Sequence, residues 1–287
     1  MKKTTSKFLA GALFLALTLS GCSGEKTTAG SGAASQGKAS SASTTVLKIA
    51  ASQTPHAELL EFVKPTLQKE GVTLKVTVLA SGSGNTVLDQ TEAGEFDVNY
   101  CGHLPWLKAV QSTKHQYDDL ASAGGIHIEP IGCYSTKYTG KDQIPDNATI
   151  AIPNNTSNEY RALKILEQNG FIKLKSGVTT NTATARDIEK YIKPIKIVEM
   201  DAQIALRDRD QFDAYITNTN RVIEAGLDAT KYLFRETAED NPFANILVVK
   251  KDRLNDAAVK KLFAALTTPE VKKFIEEKYK GAVIPAF

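Results

Sequence analysis

The segment Glu95-Phe96-Asp97-Val98-Asn99-Tyr100 has a counterpart later in the chain, Gln211-Phe212-Asp213-Ala214-Tyr215-Ile216. Each segment follows a helical pattern and an acidic turn, and each is typical of a buried β-strand that opens with Phe-Asp. The first strand brings residues 100–103 to its carboxyl end, and the second brings residues 217–220. Because both segments occupy the same place in the same local plan, we expect two lobes of similar construction.

Strands and helices alternate on both sides of these two segments. The periodicity of apolar residues predicts strands at 46–52, 72–80, 148–152, 195–199 and 245–250. It predicts helices at 59–67, 159–168, 202–209, 259–266 and 271–275, and a further helix that follows the loop at 81–85 and ends near residue 94. Pro65 is expected to kink the first of these helices. This alternation predicts an α/β fold, in which ligands bind at the carboxyl ends of the strands.

The chain is long enough for two domains, because its 287 residues are 42% hydrophobic and can bury a large core. We expect residues 46–133 and 243–287 to form lobe 1 and residues 134–242 to form lobe 2. In this arrangement the final segment returns to complete the first lobe. Two such lobes close on a ligand by a hinge motion.

The N-terminal segment has the features of a signal peptide. Lys2, Lys3 and Lys7 precede an apolar stretch, residues 8–19, that is too short to span a bilayer stably. Leu19-Ser20-Gly21-Cys22 then resembles a bacterial lipobox, so residues 1–22 are predicted to be a lipoprotein signal peptide in which Cys22 receives the lipid. The alternatives are an ordinary secretory signal or a short membrane anchor.

Residues 23–45 consist almost entirely of Ser, Gly, Ala, Thr and Lys. Such a segment buries too little apolar surface to offset the entropy of ordering, so a flexible tether is expected. A lipid on Cys22 and a tether would hold the globular part at the extracytoplasmic face of the cell membrane.

Composition and motifs argue against several functions. A net charge of +3 is too small to indicate a nucleic-acid surface. The chain has no nucleophile elbow, HExxH, Walker or GxGxxG motif. Cys101 and His103 could suggest a thiol dyad, but Gly102 and Pro105 favour a loop there. We therefore expect a monomeric binding protein without a cofactor, and not an enzyme.

Arg161 is the first candidate for ligand binding. Thr156 and Glu159 have the spacing of a capping box, which places Arg161 near the start of a helix. Free backbone N–H groups and the helix dipole favour an anion at that position, and a guanidinium suits a carboxylate. A solvent-exposed arginine paired with a glutamate is the alternative.

Three asparagines are further candidates. Asn218 and Asn220 lie just past a strand, and Asn245 lies at the start of another. Amide groups accept hydrogen bonds from an ammonium group and donate them to a carboxylate, so they fit a zwitterion. A turn is the alternative for the first two, and a strand cap for Asn245.

Six short motifs resemble the methionine-binding lipoprotein family, the substrate-binding subunits of methionine ABC importers. In chain order they are Thr54-Pro55-His56-Ala57-Glu58, Ala151-Ile152-Pro153-Asn154, Arg161-Ala162-Leu163, Asn218-Thr219-Asn220, Glu224-Ala225-Gly226-Leu227 and Asn241-Pro242-Phe243-Ala244-Asn245-Ile246. The resemblance extends from Val46 to Phe287 in the family's order.

The resemblance implies a two-lobed periplasmic-binding-protein fold (type II-like), an amino acid between the lobes and an ABC permease as partner. It also implies that Arg161 holds the α-carboxylate, while Asn218 and Asn245 hold the α-amino and carboxylate groups. The remaining predicted ligand-binding residues are His103, Tyr100, Asn220 and Asn158.

The chain departs from the family where the ligand side chain is expected. The family usually has Phe-Gln-His-x-Pro, whereas this chain has Cys101-Gly102-His103-Leu104-Pro105. Gly84 lies in a loop that lacks the family's tyrosine, and Arg221 replaces another. Each aromatic contact with a thioether contributes roughly 0.3 to 1.5 kcal/mol. Losing two rings should enlarge the pocket and weaken its grip on a thioether. We therefore expect methionine, a related amino acid or a short Met peptide as the ligand; the alternative is that Tyr100, Trp106 or Tyr160 compensates for the lost rings.

Other interpretations remain open. The Ser81-Gly82-Ser83-Gly84 loop could bind a sulfonate or phosphonate through its backbone N–H groups, as in an oxyanion-binding protein of the same fold. The four histidines, at 56, 103, 115 and 127, are scattered, so no metal site is expected. Cys101 and Cys133 could form a disulfide, but we favour two separate buried thiols.

Overall fold

The computed structural model describes residues 44–79, 84–180, 182–239 and 241–287. The predicted signal peptide with Cys22, most of the tether, and the Ser81-Gly82-Ser83 part of the candidate oxyanion loop lie outside these residues. None of the helices within the described ranges is both long and apolar enough to cross a membrane.

Strands and helices alternate along the described chain. The strands are Thr45–Ser52 (β1), Val72–Leu79 (β2), Val98–His103 (β3), Leu120–Ile128 (β4), Ile131–Tyr134 (β5), Thr149–Pro153 (β6), Ile172–Leu174 (β7), Ile188–Tyr191 (β8), Lys196–Met200 (β9), Ala214–Asn218 (β10), Phe234–Arg235 (β11), Ala244–Lys250 (β12) and Ile284–Pro285 (β13). The helices are Glu58–Lys69 (α1), Thr86–Glu92 (α2), Leu104–Gln111 (α3), Thr156–Gln168 (α4), Ala202–Arg207 (α5), Thr219–Glu224 (α6), Ala257–Leu266 (α7) and Pro269–Tyr279 (α8).

Two main sheets organise these elements. The first has the order β13-β4-β12-β3-β1-β2, and the second has the order β11-β5-β10-β6-β9. In the first, β1 runs parallel to β2 and β3; in the second, β6 runs parallel to β9 and β10. This mixed α/β architecture confirms the predicted fold class, and β12 joins the first sheet as the returning segment.

The chain passes from the first sheet to the second between β4 and β5, and returns between β11 and β12. The predicted boundary after residue 133 falls inside β5, whose four residues all pair within the second sheet. The division into two closing lobes remains a proposal.

The two Phe-Asp segments make the same contact in the two sheets. Asp97 donates its backbone N–H to the carbonyl of Lys48 (2.8 Å) and accepts the N–H of Lys48 on its carboxylate (2.7 Å). Asp213 makes the same pair of bonds with Thr149, at 2.9 and 2.8 Å. The echo in the sequence is therefore a repeated structural device that ties each parallel strand pair at its beginning.

This device also corrects the predicted strand starts. Strands β3 and β10 begin at Val98 and Ala214, three residues later than the sequence pattern suggested at Glu95 and Gln211. Because each aspartate bonds the neighbouring strand through its own side chain, it ends the preceding turn and does not extend the ladder.

Several elements were not anticipated, and β4 is the most informative. Its sequence, LASAGGIHI, is poor in the branched and aromatic residues that favour strands. It is held instead by pairing with β12 and β13. Gly124 is required in it, because its φ is +142° and a Cβ there would lie 2.0 Å from the ring of Phe263.

The cores lie between the sheets and their helices. Leu60 of α1, Leu262 of α7 and Ile275 of α8 are fully buried against the first sheet. Leu163 of α4 is fully buried against the second sheet. Each such side chain contributes roughly 1.5 to 3 kcal/mol by leaving water.

Candidate functional site

A cavity of about 290 Å³ lies where the carboxyl ends of strands from both sheets meet. Strands β1, β2, β3 and β10 contribute their last residues, and the turns after β6 and β9 contribute theirs. The lining residues are Ser52, Leu79, Gly84, Val87, Cys101, Gly102, His103, Trp106, Glu129, Asn154, Asn155, Asn158, Asp201, Asn218, Asn220, Arg221 and Asn245. This is the position that the predicted βαβ architecture requires for a ligand.

Most of the predicted ligand-binding residues meet at this cavity. His103, Asn158, Asn218, Asn220 and Asn245 all line it, although they are far apart in the sequence. Two predicted residues do not reach it: Arg161 and Tyr100 lie immediately behind residues that do.

His103 is held in one tautomer. Its Nδ1 accepts the backbone N–H of Trp106 at 3.1 Å and so caps α3. The proton is therefore on Nε2, which donates to Oδ1 of Asn158 at 3.3 Å. Burial, assisted by the charge of Arg161, lowers the pKa of His103 to about 3, so the ring is neutral.

Helix α4 begins earlier than predicted. Asn155 is the N-cap and accepts the backbone N–H of Asn158 on its side chain, so Thr156 is the first helical residue. The predicted capping box is wrong, because Glu159 instead accepts the backbone N–H of Ala185 at 3.0 Å. The second turn therefore contains Arg161, beyond the free N–H groups of the helix start.

Arg161 is 1% exposed and fully engaged by protein groups. Glu236 accepts from its Nε at 2.9 Å and from its Nη2 at 2.6 Å. The same Nη2 donates to the carbonyl of Glu129 at 2.8 Å, and Nη1 donates to Oδ1 of Asn158 at 3.0 Å. The ring of Phe243 covers the guanidinium at 4.4 Å. Arg161 thus reaches the cavity through Asn158, whose Oδ1 accepts from both Arg161 and His103.

Tyr100 belongs to a buried polar cluster that sequence reasoning missed. Its hydroxyl lies 2.5 Å from Nδ1 of His127, whose Nε2 lies 3.1 Å from the carboxylate of Glu129. His56 lies 3.5 Å from the same carboxylate and 3.1 Å from Oδ1 of Asn245. Glu129 therefore presents an anchored carboxylate to the cavity.

The cluster corrects the view that the histidines are scattered. Ligand atoms of His56, His127 and Glu129 lie within 4.8 Å of one another. Hydrogen bonds account for the His127 part of the arrangement, because the hydroxyl of Tyr100 donates to Nδ1 of His127 and Nε2–H of His127 donates to Glu129. Nδ1 of His56 is buried without a hydrogen-bond partner among the described residues. Burial lowers the pKa of His127 to about 3 and that of His56 to about 4, and burial raises the pKa of Glu129. The expectation of no bound metal stays a prediction.

Arg221 is the second arginine at the site, and it differs from Arg161. It lines the cavity, and its buried Nη1 has no hydrogen-bond partner among the residues that the structure describes. The buried Oδ1 of Asn220 is likewise unpartnered there. The signal in the sequence was the departure from the family's tyrosine at position 221.

The altered motif at the end of β3 shapes one wall. A Cβ on Gly102 would lie 2.8 Å from the indole of Trp106, so the absence of a side chain lets the ring pack on the backbone. Cys101 is a free thiol that lies 3.6 Å from the carbonyl of Ala50, and burial raises its pKa to about 12. Cys133 is also free and buried, as expected for two separate thiols.

Comparisons with known proteins agree with this architecture. The sequence model of the NlpA lipoprotein family matches residues 47–287. The methionine-binding lipoprotein MetQ of Bacillus subtilis is 36% identical over 242 residues, which cover 83% of this chain and 86% of the relative.

Solved structures give the same result. A nutrient-binding protein from Burkholderia cenocepacia, bound to methionine, has a TM-score of 0.78 at 33% identity and covers 84% of this chain and 100% of its own. An ABC transporter periplasmic substrate-binding protein from Coxiella burnetii has a TM-score of 0.77 at 33% identity, with the same coverage. The likeness to these substrate-binding proteins and the family match confirm the resemblance in the sequence, and the chain belongs to the NlpA lipoprotein family.

Proposed function

We propose that the protein is a lipid-anchored, extracytoplasmic substrate-binding protein of an ABC importer. It captures a small amino acid, methionine or a related amino acid or short Met peptide, and delivers it to the permease. Family membership and the relatives' described roles support the general function. Cys22 is the proposed lipid attachment site, and the tether lets the globular part reach the permease from the membrane surface.

The observation that favours an amino acid is the set of amide groups around the cavity. Six asparagines line it: Asn154, Asn155, Asn158, Asn218, Asn220 and Asn245. Each amide both donates and accepts, which suits a molecule that has an ammonium and a carboxylate group close together. Glu129 adds a buried carboxylate, the natural partner of the ammonium group.

The chemistry of the cavity favours binding over catalysis. Its thiol, Cys101, is neutral at physiological pH because burial raises its pKa to about 12, and only a thiolate is a good nucleophile. His103 is engaged at both ring nitrogens, by Trp106 and Asn158, and so is not free to act as a base.

Arg161 has a defined place in this proposal. A direct bond from Arg161 to the ligand's carboxylate requires that Glu236 or Asn158 gives up a hydrogen bond on binding. Without that exchange, Arg161 fixes the Oδ1 of Asn158 and leaves its Nδ2 group to donate to the ligand. Both routes make the ligand's affinity depend on Arg161.

An oxyanion-binding protein for sulfonates or phosphonates is the alternative. The observation in its favour is the buried Nη1 of Arg221, which has no hydrogen-bond partner among the described residues, since a guanidinium suits any oxyanion.

Calorimetry on the protein without its predicted signal peptide, residues 23–287, tests the proposal. The ligands are L-methionine, D-methionine, cystine, short Met peptides and taurine. Mass spectrometry of any co-purified small molecule identifies the natural ligand. We expect micromolar or tighter binding of at least one amino acid or Met peptide. Binding of taurine with no response to any amino acid would instead establish the alternative.

A further inference from the structure

The two arginines at the cavity differ in how their charge is balanced. Arg161 forms a two-point ion pair with Glu236 and donates to two further oxygens. Arg221 forms no ion pair with any described residue, and its Nη1 is buried without a hydrogen-bond partner. A buried charged group without a partner is costly, so a site with such a group is completed by an incoming ligand of opposite charge.

The carboxylates of the cavity compensate Arg221 only at a distance: burial raises the pKa of Glu129, and the charges of His56, Arg161 and Arg221 oppose that shift. Glu129 is bonded by His127 at 3.1 Å and approached by His56 at 3.5 Å. Asp201 accepts the backbone N–H groups of Gln203 and Ile204 at 2.8 and 3.2 Å as the cap of α5. Neither carboxylate forms an ion pair with Arg221.

We propose that Arg221 is the ligand-facing guanidinium of this protein and that it binds a carboxylate of the amino acid. This inference rests on the proposed function and deepens it. A zwitterion placed between Arg221 and Glu129 gives each a partner of opposite charge. The Oδ1 of Asn220, which has no partner within the described ranges, accepts a further bond from the ammonium group.

A guanidinium offers a carboxylate both a full charge and a two-point geometry, which neither an amide nor a phenol at position 221 could supply. The carboxylate has two possible sources, namely the α-carboxylate of any amino acid or the side-chain carboxylate of an acidic one. Ligands that lack one of the two distinguish them.

The test is calorimetry on the wild type, Arg221→Gln and Arg221→Tyr with L-methionine, L-methionine amide, L-glutamate and taurine. Arg207→Gln is the matched control, since Arg207 is exposed and pairs with Asp208 at the surface. Circular dichroism and a thermal melt establish that each variant is folded, and Arg221→Lys serves as a charge-retaining second variant.

We expect Arg221→Gln and Arg221→Tyr to weaken binding about 30-fold or more, with no change in Arg207→Gln. If methionine and glutamate both lose affinity, and the amide binds the wild type poorly, the α-carboxylate is the partner. If only glutamate loses affinity, the side-chain carboxylate is the partner.

Retention of wild-type affinity in Arg221→Gln and Arg221→Tyr for the ligands that bind would overturn the role of Arg221. A wild type that binds taurine alone sinks the proposed amino-acid function, and with it the carboxylate partner. A wild type that binds none of the four ligands, nor those of the wider panel, overturns both proposals.

Discussion

Arg161 and Glu236 form a two-point ion pair directly behind the cavity, with 2.9 Å between Nε and Oε1 and 2.6 Å between Nη2 and Oε2. The pair is almost completely buried from solvent, since the side chain of Arg161 is 1% exposed and that of Glu236 is 12% exposed. Removing one partner of such a pair leaves the other charge buried without compensation. The same arginine positions Asn158, so stability and ligand binding are linked at one residue.

Arg161→Ala should therefore lose both properties. We expect a decrease of roughly 3 to 5 kcal/mol in the free energy of unfolding, because Glu236 loses its cationic partner and keeps only the N–H groups of Ile131 and Asn241. Affinity should fall by roughly 2 to 5 kcal/mol if the arginine positions or binds the ligand. Urea denaturation measures the first quantity and calorimetry the second.

The double variant Arg161→Ala/Glu236→Ala is the control. It removes both charges and should recover part of the stability, whereas affinity should remain low. Unchanged affinity in Arg161→Ala would contradict the predicted role of Arg161 at the ligand, and recovery of affinity in the double variant would reduce that role to balancing Glu236.

His103 should make stability depend on pH. Its pKa is about 3 in the folded protein, whereas the pKa of an unburied histidine is 6.5, so the unfolded chain binds the extra proton. Its contribution to stability is complete above pH 6.5 and is lost as the pH falls toward 3, by about 1.4 kcal/mol for each pH unit.

His103→Asn isolates this contribution, because asparagine does not titrate and is a good helix N-cap. The free energy of unfolding of the wild type should fall more steeply between pH 6.5 and 4 than that of the variant, measured by urea denaturation at each pH. Parallel pH profiles would show that the ring is not held neutral as described.

Features that depend on a short stretch of the chain could be predicted from the sequence. The Phe-Asp echo, the returning segment and the asparagines after β10 could all be predicted, because each depends on a short pattern and its place in the βαβ plan. The position of Glu129 at the cavity could not be predicted, because it follows β4. The glycines and alanines of β4 do not give the pattern of a strand, and only pairing with neighbouring strands stabilises it.

The pairing state of the arginines was equally hidden. Glu236 meets Arg161 from a distant part of the chain, and only the folded structure shows that Nη1 of Arg221 is buried without a hydrogen-bond partner among the described residues. The capping box was misread for a related reason: Asn155 competes with Thr156 as the cap, and Glu159 finds a partner outside its own helix.

The repeated aspartate contact predicts matched losses in the two sheets. Asp97→Asn and Asp213→Asn each keep the backbone bond but weaken the charged bond to the N–H of Lys48 or Thr149. Each also removes one ion pair, that of Asp97 with Arg253 or that of Asp213 with Lys137. Each should lower the free energy of unfolding by about 1 to 2 kcal/mol, the usual contribution of a hydrogen bond to a charged group. Urea denaturation of both variants checks this, with Asp142→Asn as an exposed control. A loss in only one of them would show that the two contacts are not equivalent.

The close packing of Gly102 against Trp106 allows a fluorescence test of the cavity wall. Trp106 is the chain's only tryptophan and it lines the cavity, so its emission reports on this site alone. In Gly102→Ala the new Cβ would lie 2.8 Å from Cε3 of the ring, so the indole must move. We expect a shifted emission maximum without ligand, a loss of roughly 1 to 3 kcal/mol in stability and weaker ligand binding.

Gly140→Ala is the matched control, because a Cβ there meets nothing within 4 Å. An unshifted spectrum and unchanged affinity in Gly102→Ala would mean that Trp106 does not form this wall, and that the altered motif leaves the ligand's side chain to other residues.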